Sequence, residues 1–406
     1  MDTNRLTGSV LGGILLVAGS CIGAGMLALP IMTGLAGFFP SLVALFVSWA
    51  FMTFTGLLLV EMCGWFLGQV NLLSMAKESL GGIGRAVGWI TYLFLFYALL
   101  VAYISASGGI FSAILESVFG LSIPAWGASL FFTLLFGAIV YLGTRPVDLF
   151  NRVLMFGLII AYLGMISFGI TQIDLKLFTH FAPSYTFLSL PVLVVSFGFQ
   201  NMIPSLTAYL KGDLKRVRLT ILGGGLLALV VYVLWTALVL GIVPLQGEHG
   251  ILDSYQRGEE ATSALNAFLG NSQIAGFARG FAFFAVVTSF LAQGLSLTHF
   301  IADGLNIFPS RKNTWWLSAL ALLPPLVFAL SFPEVFFKAL SFAGGICAMI
   351  LFGLLPVAMT WIGRYKKKMH SSYHVKGGKL ALIAALAFAI LVIGCEVTHI
   401  FSSSSY

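Results

Sequence analysis

The chain has 406 residues, of which 59% are hydrophobic and only 9% are charged. Soluble domains carry about a quarter charged residues, so this composition excludes an ordinary soluble protein. The formal net charge is +7, but the basic residues lie in short segments between long apolar runs. We therefore interpret the charge as a signal of membrane topology and expect no nucleic-acid partner.

Long apolar segments recur from one end of the chain to the other, and each is long enough to cross a bilayer as a helix. None shows the apolar–polar alternation of a membrane β-barrel. The sequence therefore predicts an all-α polytopic membrane protein, in which residues 1–406 form a single transmembrane domain. The eleven predicted spans are 9–35, 40–67, 87–115, 124–143, 152–172, 186–209, 218–243, 274–298, 315–331, 335–361 and 380–401.

The positions of lysine and arginine predict how these spans are oriented. If the N-terminus lies in the cytoplasm, the cytoplasmic side holds all 21 basic residues except Lys176, Arg257, Arg279 and Lys338. Loops rich in lysine and arginine remain on the cytoplasmic side of the membrane. We therefore predict a cytoplasmic N-terminus and a C-terminus on the outside.

The first span is interrupted by the stretch GSCIGAGMLALP, Gly19 to Pro30. Non-helical backbone at membrane depth is tolerated only where it is buried in protein or lines a watery cavity. Gly23 and Gly25 supply the backbone freedom that a break needs. The free N–H groups at the start of the second half-helix would then form an anion-binding end. The alternative is a continuous helix whose glycines allow close packing.

Span 2 carries an ionisable residue, Glu61, in its cytoplasmic half. An ionisable side chain inside a membrane is costly, so it marks either a function or a specific structural partner. Two roles are open for Glu61. It either carries a proton or stabilises the broken backbone of span 1.

A second interruption, SFGFQNMIPSL, lies in the middle of span 6 and runs from Ser196 to Leu206. Gln200 and Asn201 within it need hydrogen-bond partners in lipid, and neighbouring helices could provide them. Two interrupted segments at corresponding positions of two five-span halves are typical of a transporter binding site. We therefore predict a substrate site lined by spans 1 and 6, with a carboxylate at the N-termini of the half-helices.

Two features are predicted on the outer side. Segment 244–273 is the one long connection, and it forms either a short helix that caps the site or an ordinary solvated loop. Glu334 and Lys338 in span 10 are four residues apart, so we expect them to share a helix face and to pair. Near the outer end they would serve as a gate or reach the interface by snorkelling.

Three stretches carry a resemblance to a known family: GSCIGAGMLALP in span 1, SFGFQNMIPSL in span 6, and YALLVAYISASG in span 3 (Tyr97–Gly108). They resemble the bacterial hydroxy/aromatic amino acid permeases, which include tyrosine- and tryptophan-specific carriers, and the resemblance covers nearly the whole chain. It implies a LeuT-like fold with two inverted five-helix repeats, about 9–172 and 186–361, and an extra helix at 380–401. It also implies cation-coupled uptake of an aromatic amino acid, in particular tyrosine, across a bacterial inner membrane.

One departure from the family pattern concerns span 6. Members often have a histidine followed by asparagine after the second aromatic residue, where this chain has Gln200 and Asn201. This departure bears on the specificity for the substrate side chain more than on the fold.

Roles follow for the residues at the two breaks. Backbone groups of span 1 are expected to bind the substrate carboxylate, at Ser20, Cys21, Gly23, Ala24 and Gly25. Unwound carbonyls of span 6 are expected to meet the amino group, with two amide side chains nearby, at Ser196, Phe197, Gly198, Phe199, Gln200 and Asn201. The resemblance further implies that Tyr103 in span 3 helps to hold the carboxylate, with Tyr97 as the rival residue.

The coupling ion is either a proton or sodium, and we expect no other cofactor or metal. In LeuT-like carriers, adjacent hydroxyls in span 8 such as Thr288 and Ser289 complete a sodium site. Hydroxyls also commonly bond to carbonyls of their own helix, which is the simpler explanation. The resemblance favours protons, and Glu61 is the carboxylate deep in the first repeat that could carry one.

These features favour a secondary carrier over two other classes of protein. A channel or receptor would show a pore ring or a large folded domain. A membrane enzyme would show a catalytic motif such as HExxH, GxSxG or a P-loop, and none occurs in the sequence. The alternative carrier is a sodium-coupled one for tryptophan or another neutral amino acid. The expected partners are a small-molecule amino acid and membrane lipid, without an obligate protein partner.

Overall fold

The computed structural model describes residues 8–66, 71–269, 273–307, 311–332 and 334–403. Within these ranges the chain is helical and contains no β-strand. Ten helices are long and apolar enough to cross a membrane, and a bent pair near the N-terminus makes the eleventh span. This confirms the predicted all-α polytopic architecture. Spans 2 to 11 are Phe38–Cys63, Leu72–Phe119, Ala125–Leu142, Thr144–Gln172, Pro183–Tyr209, Leu214–Ile242, Gln273–Gly304, Thr314–Ser331, Phe336–Lys366 and Gly378–Phe401.

Span 1 is broken, as predicted. Its first helix is Val10–Cys21 and its second is Gly25–Gly34, and the two helices are bent by 59°. The side chain of Ser9 caps the first helix by accepting a hydrogen bond from the N–H of Gly12. At the other end Ile22 is extended, so the regular bonding stops where the glycines begin.

Span 6 is broken at the corresponding place. A helix over Thr186–Ser196 ends there, and a 3₁₀ turn follows at Gln200–Met202. The helix Ile203–Tyr209 then completes the span, with a proline in its first turn. Proline suits this position because its missing N–H would have no partner there. Residues 197–199 between the helices are irregular.

Burial places the broken spans at the centre of the bundle. In the second half of span 1, every residue from Met26 to Gly34 is buried. Spans 3 and 10 are also central, because 67% and 72% of the residues in their apolar 18-residue stretches are buried. Spans 5 and 11 have only 28% buried. Their apolar sides are left to face lipid.

Span 3 begins earlier than the predicted 87–115, because its helix already starts at Leu72. The extra segment is polar at Lys77 and Glu78, so it escapes a search for apolar runs. The side chain of Asn71 caps it by accepting from the N–H of Ser74. The chain then kinks at Gly81, whose positive φ of 78° suits a glycine.

The long connection between spans 7 and 8 forms two short helices, Ile251–Arg257 and Ala261–Leu269. The first packs on the end of span 1, because a Cβ on Gly34 would lie 3.0 Å from Cγ2 of Ile251. The helical interpretation of segment 244–273 is therefore right for this part. Residues 270–272 lie outside the described residues, as do Arg5 and the side chains of Arg311 and Lys312, which enter the topology prediction.

Candidate functional site

A cavity of about 240 Å³ lies where the breaks of spans 1 and 6 meet. Spans 3, 5, 8 and 10 complete its wall. The structure brings most of the predicted substrate residues to this one cavity, namely Ser20, Cys21, Gly23, Ala24, Gly25, Tyr103, Ser196, Gly198 and Asn201. The predicted coupling residues Thr288 and Ser289 line it as well.

The break in span 1 leaves backbone donors at this cavity. The N–H of Ala24 donates to Oγ of Ser289 in span 8, over 2.9 Å. The N–H groups of Gly23 and Gly25 donate no hydrogen bond within the described part of the chain. Free N–H groups at a helix start, together with the helix dipole, form a site for an anion.

The break in span 6 offers a hydrogen-bond acceptor instead of donors. Gly198 lines the cavity, and its carbonyl accepts no backbone hydrogen bond in the described residues. Next to it, Oγ of Ser196 donates to Val192 in its own helix. A Cβ on Gly25 would lie 3.2 Å from Oγ of Ser196, so the two breaks are in close contact. The lining residues therefore include two glycines of span 1 with free N–H donors and a glycine of span 6 with a free carbonyl acceptor.

Three predicted residues of span 6 do not line the cavity. The ring of Phe197 packs on Tyr232, with 4.9 Å between centroids. The buried ring of Phe199 packs on span 2, because a Cβ on Gly56 would lie 2.8 Å from it. Gln200 also turns to span 2, where its amide nitrogen lies 3.0 Å from the carbonyl oxygen of Met52. Gln200 thus forms the bond between helices that was the alternative explanation for it.

Span 7 holds the two breaks together, which sequence reasoning missed. The hydroxyl of Tyr232 lies 2.6 Å from the carbonyl oxygen of Cys21 and 2.7 Å from that of Ser196. One turn further, Nε1 of Trp235 donates to the carbonyl of Met26 over 2.9 Å. Both side chains are fully buried. The sequence signal for this role was a pair of aromatic residues with polar groups, three residues apart in an otherwise apolar span.

The cavity is lined by two kinds of side chain, which come from different spans. Apolar and aromatic side chains come from one face of span 3 and from span 10, at Tyr92, Leu95, Phe96, Leu99, Leu340 and Phe352. Amides and a hydroxyl come from spans 5 and 8, at Asn151, Gln293 and Ser296. Sequence reasoning did not find these residues, because an aromatic or amide residue in a span has no distinctive pattern.

The structure distinguishes the two tyrosines of span 3 that were considered for binding the substrate carboxylate. Tyr103 lines the cavity and is 5% exposed. Tyr97 lies on another face of the helix, where its hydroxyl donates to the carbonyl of Leu320 in span 9 over 2.9 Å. Of the two, only Tyr103 can contact a ligand held between the breaks.

Glu61 is fully buried, and its partner is not the broken backbone of span 1, so that part of the interpretation is wrong. Nε of Arg364 donates to Oε1 over 2.8 Å, and Nη2 of Arg364 donates to Oε2. The N–H of Val375 donates to Oε2 over 2.8 Å, and Nδ1 of His374 lies 3.0 Å from Oε1. The carboxylate therefore joins span 2 to the end of span 10 and to the following loop. It does not line the cavity.

The two hydroxyls in span 8 differ in their bonding. Oγ1 of Thr288 donates to the carbonyl of Phe284 over 2.8 Å, which is the bond within its own helix that the simpler explanation expects. Ser289 instead binds the break of span 1 through Ala24. Both remain oxygen groups beside the unwound backbone. Among the described residues no group of three or more His, Cys, Asp or Glu is placed to hold a metal ion.

Glu334 and Lys338 do not form the predicted ion pair in the described part of the chain. The helix begins only at Phe336, so Glu334 lies before it and the two side chains do not share a helix face. Both line a second and larger cavity between spans 3, 9, 10 and 11. A gating role is not tested by this geometry and stays a prediction.

The fold and the cavity together define a class of protein, a multi-pass membrane carrier with its cavity between two broken spans. The sequence profile of the tryptophan/tyrosine permease family matches residues 6–396, and the chain belongs to this family.

Some relatives in this family are named for tyrosine and others for tryptophan. The chain is 35% identical to the tyrosine-specific transport system 1 of Haemophilus influenzae, over 94% of this chain and 95% of the relative. It is 32% identical to the tryptophan-specific transport protein of the same organism, over 96% of each chain. It is 29% identical to the low affinity tryptophan permease of Escherichia coli, over 97% of this chain and 96% of the relative.

Proposed function

We propose that this protein imports an aromatic amino acid, in particular tyrosine, by symport with a cation. The observation that carries the proposal is the pairing of free backbone donors and a free carbonyl across one cavity with an aromatic wall. An amino acid zwitterion needs the first two features, and an aromatic side chain needs the third. We read spans 1–5 and 6–10 as the two inverted repeats of a LeuT-like fold, with span 11 added.

The zwitterion fits the two breaks in one orientation. Its carboxylate binds the N–H groups of Gly23 and Gly25, at the positive end of the second half of span 1. The hydroxyl of Tyr103 is the side-chain group that would complete this binding. The ammonium group meets the free carbonyl of Gly198.

The substrate ring packs against spans 3 and 10, where Phe96 and Phe352 line the cavity. A tyrosine hydroxyl needs a polar partner, and Asn201 is the amide of span 6 that faces the cavity. A site that binds a hydroxyl in this way rejects phenylalanine, because its own polar groups would be left unpaired. Tryptophan is the alternative substrate, since relatives named for tyrosine and for tryptophan are similarly close.

The coupling ion is proposed to be the proton, which the family resemblance favours. An inward-moving cation gains about 2.3 kcal/mol per 100 mV, which is enough to drive accumulation. Glu61 remains the carboxyl of the first repeat that we propose as the proton carrier. Because Glu61 binds Arg364 and Val375, its protonation would act by loosening the contact of span 2 with span 10. Sodium is the alternative, supported by the position of Thr288 and Ser289 beside the break of span 1.

Uptake into proteoliposomes tests substrate and ion together. Labelled tyrosine is competed against all twenty amino acids, with pH and sodium gradients imposed separately. We expect tyrosine, tryptophan and, more weakly, phenylalanine to compete, and a pH gradient to drive uptake. If leucine or alanine competes better than tyrosine and tryptophan, the substrate class is wrong.

Two sets of variants separate the ions. With proton coupling, Glu61→Gln, assayed well below its lowered Tm, loses accumulation driven by pH but keeps exchange of internal for external substrate. With sodium coupling, Thr288→Ala together with Ser289→Ala raises the sodium requirement, and Glu61→Gln leaves the response to the gradient intact. Uptake that needs sodium and ignores an imposed pH gradient would overturn the proton proposal.

A further inference from the structure

A second cavity, of about 880 Å³, lies between spans 3, 9, 10 and 11. Span 3 separates it from the central cavity. Tyr92, Phe96 and Tyr103 line the central cavity, whereas Phe94 and Val101 line the second. At helical spacing these sets lie on opposite faces of span 3. The second cavity is therefore a distinct place, one helix away from the substrate.

Glu396 of span 11 is a buried carboxyl in this second cavity. It is 3% exposed and lines the cavity wall. Its stem packs directly on span 10, because a Cβ on Gly345 would lie 2.6 Å from Cβ of Glu396. Its carboxylate has no hydrogen bond or ion pair to another described residue. An acidic group inside a membrane span is costly without a partner, so it marks a site for a positively charged one.

The other groups of the second cavity also favour a cation with an apolar body. Phe94 and Tyr97 of span 3 line this cavity together with Phe328 of span 9 and Phe332, which follows directly after that span. Aromatic faces attract an organic cation as well as an apolar group. Glu334 and Lys338 also line the cavity, and their opposite charges cancel in its net charge. His399 lines the cavity as well. With a neutral histidine, the net charge of the cavity is that of Glu396.

We propose that the second cavity binds an organic amine, with a primary ammonium group at Glu396 and an apolar body between spans 3 and 9. The cavity opens where Phe94 and Phe332 are 53% and 55% exposed, so a ligand can enter from the side of the bundle. Two sources share this chemistry, an ethanolamine phospholipid of the membrane and a soluble arylalkylamine. The inference does not depend on the proposed transport function.

Tyramine is the soluble probe, because it has the ammonium and an aromatic body but lacks the carboxylate that the central site needs. Titration calorimetry on the purified protein measures its affinity. We expect Glu396→Gln to weaken tyramine binding by about tenfold or more, because a charge-assisted bond is lost. Glu116→Gln, an exposed carboxyl at the end of span 3, is the matched control and should bind tyramine as the wild type does. The neutral analogue 4-ethylphenol should bind about tenfold more weakly than tyramine.

The lipid arm uses the same variants in nanodiscs of phosphatidylglycerol, with or without phosphatidylethanolamine. A rise in Tm with phosphatidylethanolamine that Glu396→Gln removes assigns the site to lipid, and tyramine binding that depends on Glu396 assigns it to a soluble amine. Ala98→Phe, which fills the cavity from span 3, should remove either effect, and gel filtration shows that each variant is folded. If neither amine has an effect that depends on Glu396, the proposal is wrong.

Discussion

Gly23 stands at a point in the break of span 1 that leaves no room for a side chain. A Cβ there would lie 2.5 Å from Oγ of Ser289, the atom that binds the N–H of Ala24. Gly25 is less crowded, with 3.2 Å between such a Cβ and Oγ of Ser196. The sequence could indicate a break here, because a cluster of glycines and a proline interrupt an apolar run. It could not indicate which hydroxyl caps the break, since that partner lies 265 residues away.

Replacing the glycines by valine should therefore stop transport without preventing insertion. We expect Gly23→Val and Gly25→Val to reduce uptake to background, because the β-branched side chain displaces the cap and crowds the carboxylate. Gly276→Val is the matched control, since a Cβ on Gly276 meets no atom within 4 Å. Uptake and surface yield are measured together. Wild-type substrate affinity in a well-inserted Gly25→Val protein would show that these glycines serve packing alone.

A second prediction concerns the side chain of Tyr232. Tyr232→Phe removes the hydroxyl that joins the carbonyls of Cys21 and Ser196. We expect stability to fall by about 1 kcal/mol and the Kd for substrate to rise about tenfold or more, because the breaks lose their common contact. Tyr162→Phe removes a similar bond, to Val231, away from the cavity. It should cost similar stability with no change in Kd. Equal Kd changes in both variants would contradict the role assigned to Tyr232.

The breaks of spans 1 and 6 show how far whole elements could be predicted. Both follow from residues that disrupt a helix, so their positions were accessible from sequence. The side chains of Phe197, Phe199 and Gln200 were not, because their directions depend on where spans 2 and 7 pack. The missing ion pair of Glu334 has a similar cause. Its prediction assumed a helix that in fact begins two residues later, at Phe336.

The contact between span 2 and span 10 should be sensitive to the loss of either charged partner. Glu61 is fully buried, and the side chain of Arg364 is 4% exposed. Removing one partner of a buried pair costs about 3–5 kcal/mol, because the remaining charge is left without compensation. We expect Glu61→Gln and Arg364→Gln each to lower Tm strongly, and the double variant to be less destabilised than the sum. A purely additive double variant in thermal unfolding would contradict the pairing.

The molecule as a whole has an orientation that only the charge distribution predicts. The predicted topology assigns most lysine and arginine residues to the cytoplasmic side, and the same rule predicts a C-terminus outside the cytoplasm. A reporter fused to the C-terminus checks this. We expect an alkaline phosphatase fusion to be active and a green fluorescent protein fusion to be dark. The reverse result would place the C-terminus in the cytoplasm and contradict the predicted orientation.

Architecture was therefore more accessible from the sequence than the detail of the site. Span number follows from local hydrophobicity, and the two breaks follow from glycine and proline. The partners of Glu61 come from the far end of span 10 and the loop beyond it, through contacts that no local pattern encodes. The same holds for the aromatic and amide side chains that line the cavity.

A structure of the protein with bound tyrosine would show whether the two breaks hold the substrate. We expect the carboxylate oxygens at about 3 Å from the N–H nitrogens of Gly23 and Gly25. We also expect the ammonium at the carbonyl of Gly198 and the ring between spans 3 and 10. Tyrosine found with its carboxylate beside Asn151 and Gln293, or outside this cavity altogether, would contradict this expectation.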